Sequence, residues 1–482
     1  MKRIGKPVFF IVAAVLIAFT LITTIGIESR FGDFRDITVR GIDLLAYGND
    51  IAPGVTAVLT PTDEEAATES DIREAEIRMR ERLSEYGIID GSVAADYERK
   101  QIKVSFSIDS VTFSNVDTIL TTLCSRGEIT IWDGSGKDEE GADEDQDGRP
   151  DKLIASHDEI KGASAYYDII SGNALNIQLN KDAAKRFETM TRRAISANGS
   201  QTTDAEKEKY TIFIDDRTIA SIAPDSPRGT ITAVTDGVVR LSPNSLAMGK
   251  QAAAEFEAKP INISFVYQNP STISAANGAN MKKALGIAIL VAVVAAFAFL
   301  IIRFRVPGVA ASISLVSLLG ALVAMFTGVF EGFEMTSVTL PGIAGAIVAF
   351  GIALDMFILI SARIKQYSQE GSSLEASVIK AFSRSRNTVL ISHGLLLLIS
   401  LILMGCFGPT ASWTTSLLNP LVGWLGFTPE YSVYTFAFAL FGGTLWNLLI
   451  SYNAAKLMIR SLLKFKKLRN VKYYGGKPVE AE

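Results

Sequence analysis

The sequence predicts an α-helical membrane bundle of six transmembrane helices joined to a large extracytoplasmic α+β domain. Three observations carry this. Hydrophobic residues make up 48% of the 482-residue chain and gather in six long runs instead of one dispersed core pattern. Between the first run and the second, residues 28–281 are mixed and polar, with the patterning of a soluble domain. Lysine and arginine collect at alternate run ends, as they do on the cytoplasmic side of membrane proteins.

Residues 8–27 form the first run, preceded by Lys2, Arg3 and Lys6. The run is long for the apolar part of a cleaved leader and lacks a small-x-small cleavage site, so residues 1–27 are read as a retained anchor. The later runs are 285–302, 309–330, 341–361, 388–407 and 433–452. Each can cross a hydrocarbon layer of about 30 Å at a rise of about 1.5 Å per residue. Arg303 and Arg305 follow the second run, and Arg363, Lys365, Lys380, Arg384 and Arg386 fill the connection between the fourth and fifth. Lys456, Arg460, Lys464, Lys466, Lys467 and Arg469 follow the last. All fall on the side of Lys2 and Arg3, whereas the turn after the third run carries Glu331 and Glu334. Lys282 and Lys283 oppose the bias but are outnumbered. Both termini are therefore expected in the cytoplasm, with a five-helix domain over 282–461 and a basic tail over 462–482.

In the outer domain, residues 71–86 place Ile72, Ala75, Met79, Leu83 and Tyr86 on one helical stripe. A strand pair is expected at 92–95 and 101–106, a helix at 116–123 and a strand at 128–132. A second set follows: strand 174–179, helix 181–197, strand 210–214, a turn at Asp215 and Asp216, and strand 218–222. Residues 261–267 lead back toward the membrane. Strands mixed with helices on short connections suggest two α+β subdomains.

An acidic insert at 133–151 separates the two sets. Asp143, Asp145 and Asp147 alternate, Gly148 follows, and Asp151 comes three residues later, like the start of a calcium loop. The twelfth position is Ile154 where a full loop of this kind has Glu. A bound calcium stapling the insert and a solvated acidic loop without ligand are equally compatible with these residues. Gly134-Ser135-Gly136-Lys137 is not a phosphate loop, because Ile131 stands where the first Gly is needed and Asp138 replaces the Ser/Thr. The two cysteines, Cys124 and Cys406, are too far apart in kind of environment to suggest a disulfide. A net charge of −4 argues against nucleic acid as a partner. Nothing here implies an enzyme or a required cofactor.

Three apolar runs carry polar groups at nearly one depth. Asp355 lies roughly 12 Å of helix rise from Arg363, His393 roughly 10 Å from Arg386, and Asn447 roughly 13 Å from Lys456. An ionisable residue in hydrocarbon is costly, so Asp355 is expected to face the bundle interior or water, on a face with Val348, Gly351, Leu359 and Ala362. Such a carboxyl can take up and release a proton. His393 shares a face with Arg386 and Ser400, and Asn447 with Gly443, Thr444 and Ser451. Packing contacts between helices are the plainer role for each.

Several stretches resemble the SecD family of protein-export subunits, within the resistance-nodulation-division superfamily of proton-driven transporters. Arg40-Gly41-Ile42-Asp43-Leu44 is similar to the family's GLDL motif. Residues 210–224 are similar to its strand-turn-strand ending in SAP. Thr339-Leu340-Pro341-Gly342-Ile343-Ala344-Gly345, then Gly351 to Asp355, resembles its fourth span. Phe436, Ala437, Leu440 and Gly443 echo its sixth. The resemblance implies a bacterial cytoplasmic-membrane protein that pairs with SecF beside the SecY, SecE and SecG channel. It also implies that the outer domain engages a translocating polypeptide and that Asp355, and His393 where the family's second Asp-Ala-Asn lies, handle protons; Asn447 joins them by its depth, and membrane lipids are expected around the bundle. The sequence also departs from the family. Leu45-Ala46-Tyr47 replaces paired glycines, and the Asp-Ala-Asn elements read Asp355-Met356-Phe357 and Ile391-Ser392-His393. The stretch 405–430 is longer than the family's loop. A proton-driven exporter of small molecules or lipids, and an uncoupled membrane-anchored chaperone, are the alternatives.

Overall fold

The first apolar run folds as helix α1, Val8–Ile25, in a computed structural model of the chain. The structure describes residues 5–31, 34–85, 88, 91–108, 116–138, 141, 150–168, 172–198, 207–224, 236–243, 249, 252–253, 255–256, 258–268, 270–274, 277, 280–328, 336–408, 413–422 and 430–474. It comprises a membrane unit, Met1–Gly54, Ser107–Ser110 and Ile273–Glu482, and a lobe, Val55–Phe106 and Val111–Thr272. A hairpin, β1 (Ile27–Phe31) and β2 (Phe34–Val39), follows α1 directly.

In the lobe, β3 (Gly54–Pro61) is followed by α2 (Glu69–Glu85), β4 (Ser92–Asp96), β5 (Gln101–Ser107) and α3 (Val116–Cys124). Thr68 and Asp71 cap α2: the Thr68 N–H donates to Asp71 Oδ2 at 2.9 Å. Ile72, Ala75, Met79 and Leu83 are all fully buried, as the stripe predicts; Tyr86 lies outside the described residues. They pack with Leu59, Val104, Phe106 and Leu120 into one core.

The chain continues through β6 (Ile129–Asp133), β7 (Leu153–Ala155), β8 (Ile160–Asp168), β9 (Gly172–Leu179), α4 (Lys181–Asn198), β10 (Tyr210–Ile214), β11 (Arg217–Ile222) and β12 (Val238–Leu241). Strands β13 (Phe265–Tyr267) and β14 (Ser271–Ile273) then return to β3. The sheets run β13-β3-β5-β4, β11-β10-β6-β7 and β12-β9-β8. Phe187 and Met190 of α4 bury against Ile131, Ile177 and Ile212 in a second core. The lobe thus holds two hydrophobic cores. Asp215 makes the β10–β11 turn at φ 50° and its carboxylate accepts the Gly127 and Glu128 N–H groups. The calcium expectation falls on Asp143, Asp145 and Asp147, which lie outside the described residues, while Asp151 is described and exposed.

The membrane unit continues with α5 (Met281–Phe304), α6 (Val306–Thr327), α7 (Leu340–Gln369), α8 (Leu374–Phe407), a short α9 (Trp413–Val422) and α10 (Tyr431–Trp446). A π-helical segment, Asn447–Ser451, joins α10 to α11 (Tyr452–Leu462). Among the described residues, six helices are long and apolar enough to cross a membrane, with α10 to α11 counted as one. Helices α7 and α8 run further than their apolar stretches predict, because their basic, amphipathic ends extend the same helices past the hydrocarbon. Helix α6 is the central one, buried along most of its length, whereas α5 is almost wholly exposed.

Candidate functional site

The family-like motifs meet at the start of α7. Gly41 packs so closely on the end of α1 that a Cβ there would lie 2.6 Å from the Ile25 carbonyl oxygen and 2.8 Å from Asp43 Oδ1. Arg40 Nη1 donates to the Thr327 carbonyl at the end of α6. Five residues on, the Val338 N–H donates to Ala46 O and the Gly48 N–H to Val338 O, both near 2.8–2.9 Å. Asp50 Oδ2 accepts the Leu340 N–H, and Thr339 Oγ1 accepts the Gly342 N–H at 3.1 Å. Pro341 occupies the first turn, where its missing N–H costs nothing. The 41–50 segment thus serves as the cap of α7.

Further along α7 the motif glycines diverge in role. A Cβ on Gly345 would fall 2.1 Å from Phe436 O, so glycine there sets the crossing of α7 and α10. A Cβ on Gly443 would meet Ala349 Cβ at 2.6 Å in the same crossing. Gly351, by contrast, has nothing within 4 Å of its Cβ position and is exposed.

Asp355 was expected to face the bundle interior or water, and the structure does not give it the interior. It is exposed, on a face with the exposed Val348, Gly351 and Ala362, and does not point into the bundle. Ala353, Met356, Phe357 and Ile360 take the buried side. The physical reason is rotational: neighbouring positions on a helix diverge by about 100°. The large apolar side chains win the interior, which leaves Asp355 on the outside.

His393 and Asn447 do meet. Both are buried, at 1% and 0% exposure, and Asn447 Nδ2 lies 2.6 Å from His393 Nε2. His393 Nδ1 lies 2.9 Å from the Val389 carbonyl and 3.2 Å from Ser392 Oγ. Asn447 Nδ2 also faces Met356 Sδ at 3.9 Å. Asn447 opens the π-helical segment, whose extra residue turns it toward α7 and α8. Gly443, Thr444 and Ser451 are buried beside it, as its predicted face requires, and Ser400 is buried on the His393 side. Arg386 is exposed. Among the described residues no hydrogen bond or ion pair joins Asp355 to either partner, so the three polar groups share a depth but not a site.

Among the described residues, six helices long and apolar enough to cross a membrane carry an α+β lobe in sequence between the first two, a carboxyl on one span and a His–Asn pair between two others, which defines a class of multi-pass membrane protein. Comparison with known proteins narrows it. The MMPL family matches residues 268–409. The protein translocase subunit SecD of Acidaminococcus fermentans is 24% identical over 328 residues, covering 66% of this chain and 66% of its own. The SecD of Sebaldella termitidis is 25% identical over 321 residues, 67% of this chain and 68% of its own. A crystal structure of SecDF in a super-membrane-facing form shares the fold, with TM-score 0.56 and 17% identity over 95% of this chain and 57% of that one. The chain spans about two thirds of the length of these two relatives and less of others, 48% of the SecD of Aquifex aeolicus. The chain is thus similar to SecD proteins over about two thirds of its length, and it is a multi-pass protein of a bacterial membrane.

Proposed function

We propose that the chain is a proton-driven subunit of the Sec protein-export machinery. It helps a polypeptide cross the bacterial cytoplasmic membrane, working with SecF beside SecY, SecE and SecG, with both termini cytoplasmic. The relatives are named protein translocase subunits, which supports export over small-molecule transport. The observation that carries the reading is Asp355. A carboxyl on an exposed face of a membrane-spanning helix is costly against lipid, so the Val348–Gly351–Asp355–Ala362 face calls for a protein cover with polar groups at that depth. A SecF bundle supplies one. A carboxyl enclosed between two bundles can load and release a proton as they shift, and the motion can be passed to the lobe that holds the polypeptide.

The test is export of a secreted substrate with and without a proton gradient. Asp355→Asn keeps the side chain's shape but cannot titrate; it should insert and co-purify with SecF and SecY yet lose the gradient-dependent part of export. Asp355→Glu should keep part of it. Unchanged gradient stimulation in Asp355→Asn would leave Asp355 a packing residue.

A further inference from the structure

We infer that His393 and Asn447 form a second proton-binding site inside the bundle, worked by rotation of the Asn447 amide. It is separate from Asp355 and stands whether or not Asp355 couples to export.

The hydrogen-bond pattern fixes one state. The Val389 carbonyl can only accept, so at 2.9 Å from His393 Nδ1 it requires an N–H there. The Ser392 hydroxyl donates to the same carbonyl at 3.2 Å, which leaves its oxygen compatible with that N–H. With Nδ1 protonated in a neutral ring, Nε2 is an acceptor, and the Asn447 amide N–H at 2.6 Å donates to it. This uses every polar atom of the pair except one. Asn447 Oδ1 is buried and has no hydrogen-bond partner, and Thr444 Oγ1, one turn away on the same face, is a second such atom. Unpaired buried oxygens call for an explanation.

The second state supplies it. When Nε2 gains a proton, the ring becomes a donor at both nitrogens, and the present amide N–H would face it donor to donor. Turning the amide by about 180° brings Oδ1 to Nε2–H, so the orphan oxygen becomes the acceptor of the charged form. Nδ1–H keeps its bond to Val389 throughout. The proton adds to the Nε2 lone pair and leaves from the same atom, with no other bond made or broken. The π-helical segment is what presents Asn447 to the ring at this depth.

Among the described residues no carboxylate is placed to do the same work. On α7, Asp355 points away and Arg363 donates to Ser385, two turns toward the basic end, with Lys365 and Tyr367 beyond. Helix α9 and the π-helical segment carry no ionisable residue. On α10, Tyr431 and Tyr434 stand at the far end; on α11, Tyr452 donates to Phe382 O, with Lys456 and Arg460 beyond. On α8 itself, Arg384 and Arg386 are exposed, and Glu375 and Lys380 lie at the basic end. The charged ring therefore depends on Asn447 Oδ1 and the Val389 carbonyl.

The chain has two histidines, so the test is direct. The full-length protein carrying His157→Gln and [15N]histidine, in lipid bilayers, leaves His393 as the one labelled ring. At neutral pH the expected spectrum shows Nδ1 protonated and Nε2 bare; acidification should protonate Nε2 reversibly. Asn447→Leu removes the acceptor and should demand at least about tenfold more acid, one pH unit, for the same change. Asn447→Asp should demand about tenfold less. A ring that stays neutral until the protein unfolds, an Nε2–H tautomer at neutral pH, or variants that titrate like the parent would each overturn the assignment. If Asn447→Leu fails to insert, an unchanged midpoint in Asn447→Asp decides against it alone.

Discussion

The lobe and the membrane unit each bury a cationic or potentially cationic side chain, and they treat it in opposite ways. In the lobe, Arg82 of α2 is 1% exposed and donates to four backbone carbonyls: Thr122 and Ser125 at the end of α3, Arg126 on the way to β6, and Lys259 on the way to β13. Its charge is permanent and is spread over carbonyl dipoles, two of them at a helix C-terminus where cations are favoured. A guanidinium so held has one state. It ties together the two connections that run between the lobe's cores, and its role is architectural. In the membrane unit His393 has bonds that fit a neutral ring and one unused acceptor that fits a charged one. The contrast teaches how to read buried polar groups: a non-titrating cation whose donors meet carbonyls builds, whereas a titratable ring beside an orphan acceptor is equipped to switch.

The largest expected effect comes from breaking the architectural half of this contrast. Arg82→Leu takes the guanidinium from four inward carbonyls, of which Arg126 O keeps the Ile261 N–H and Thr122 O the Ser125 hydroxyl, and should destabilise the lobe by about 3 kcal/mol, read as loss of protease resistance at temperatures the parent tolerates. Arg82→Lys should recover less than half, since an ammonium cannot span the same fork of acceptors. Parent-like resistance in Arg82→Leu would end the comparison.

Next are the glycines of α7. Gly345→Ala forces a methyl against the Phe436 carbonyl and should cost about 2 kcal/mol of bundle stability, measured by thermal unfolding in detergent. Gly351→Ala meets open space in the chain alone and should not destabilise it, the better helix propensity of alanine favouring the helix by up to about 1 kcal/mol. On the proposed pairing, in which SecF covers the Asp355 face, its effect should appear as weaker co-purification with SecF. Equal effects of the two substitutions on the isolated chain would mean that the exposed face of α7 has been misassigned.

The smallest expected effect is a pH dependence in the lobe. His157 follows β7; burial holds its imidazole below the usual histidine value of 6.5, and the nearby Arg82 charge pushes the same way against Asp158. A histidine depressed in the folded state stabilises the fold above the unfolded value and loses that contribution as pH falls below it, because the unfolded chain then binds more protons. Lobe stability should therefore decline as pH drops below about 6.5, and His157→Gln should flatten that decline. A slope unchanged in His157→Gln would place its cause elsewhere.

Much of this was legible in the residues. The spans follow from apolar runs, and α2 follows from Ile72, Ala75, Met79 and Leu83 at helical spacing, because both depend on local periodicity. Strands β3, β8 and β12 and the β1–β2 hairpin were missed. Their alternation is weak; β1–β2 and β8–β9 are local hairpins without a strong turn signal, whereas β12 pairs with β9, a helix and two strands back, and β3 with β13, more than two hundred residues on. Asp50 was missed as the cap of α7 for the same reason. One signal could have found it, an acidic residue shortly after the GLDL-like motif in a chain whose α7 begins Thr-Leu-Pro.

The sequence by itself determined how many helices cross the membrane and at what depth Asp355, His393 and Asn447 sit, because rise per residue converts position into height. Only the tertiary structure decided which way each one faces. Helical periodicity says which residues share a face but not which neighbour that face meets, and the answer depends on how α7, α8 and α10 pack. Packing turned Met356 and Phe357 inward and Asp355 out, brought Asn447 to His393 through an extra residue in the helix, and so separated three groups of equal depth into an exposed carboxyl and a buried pair.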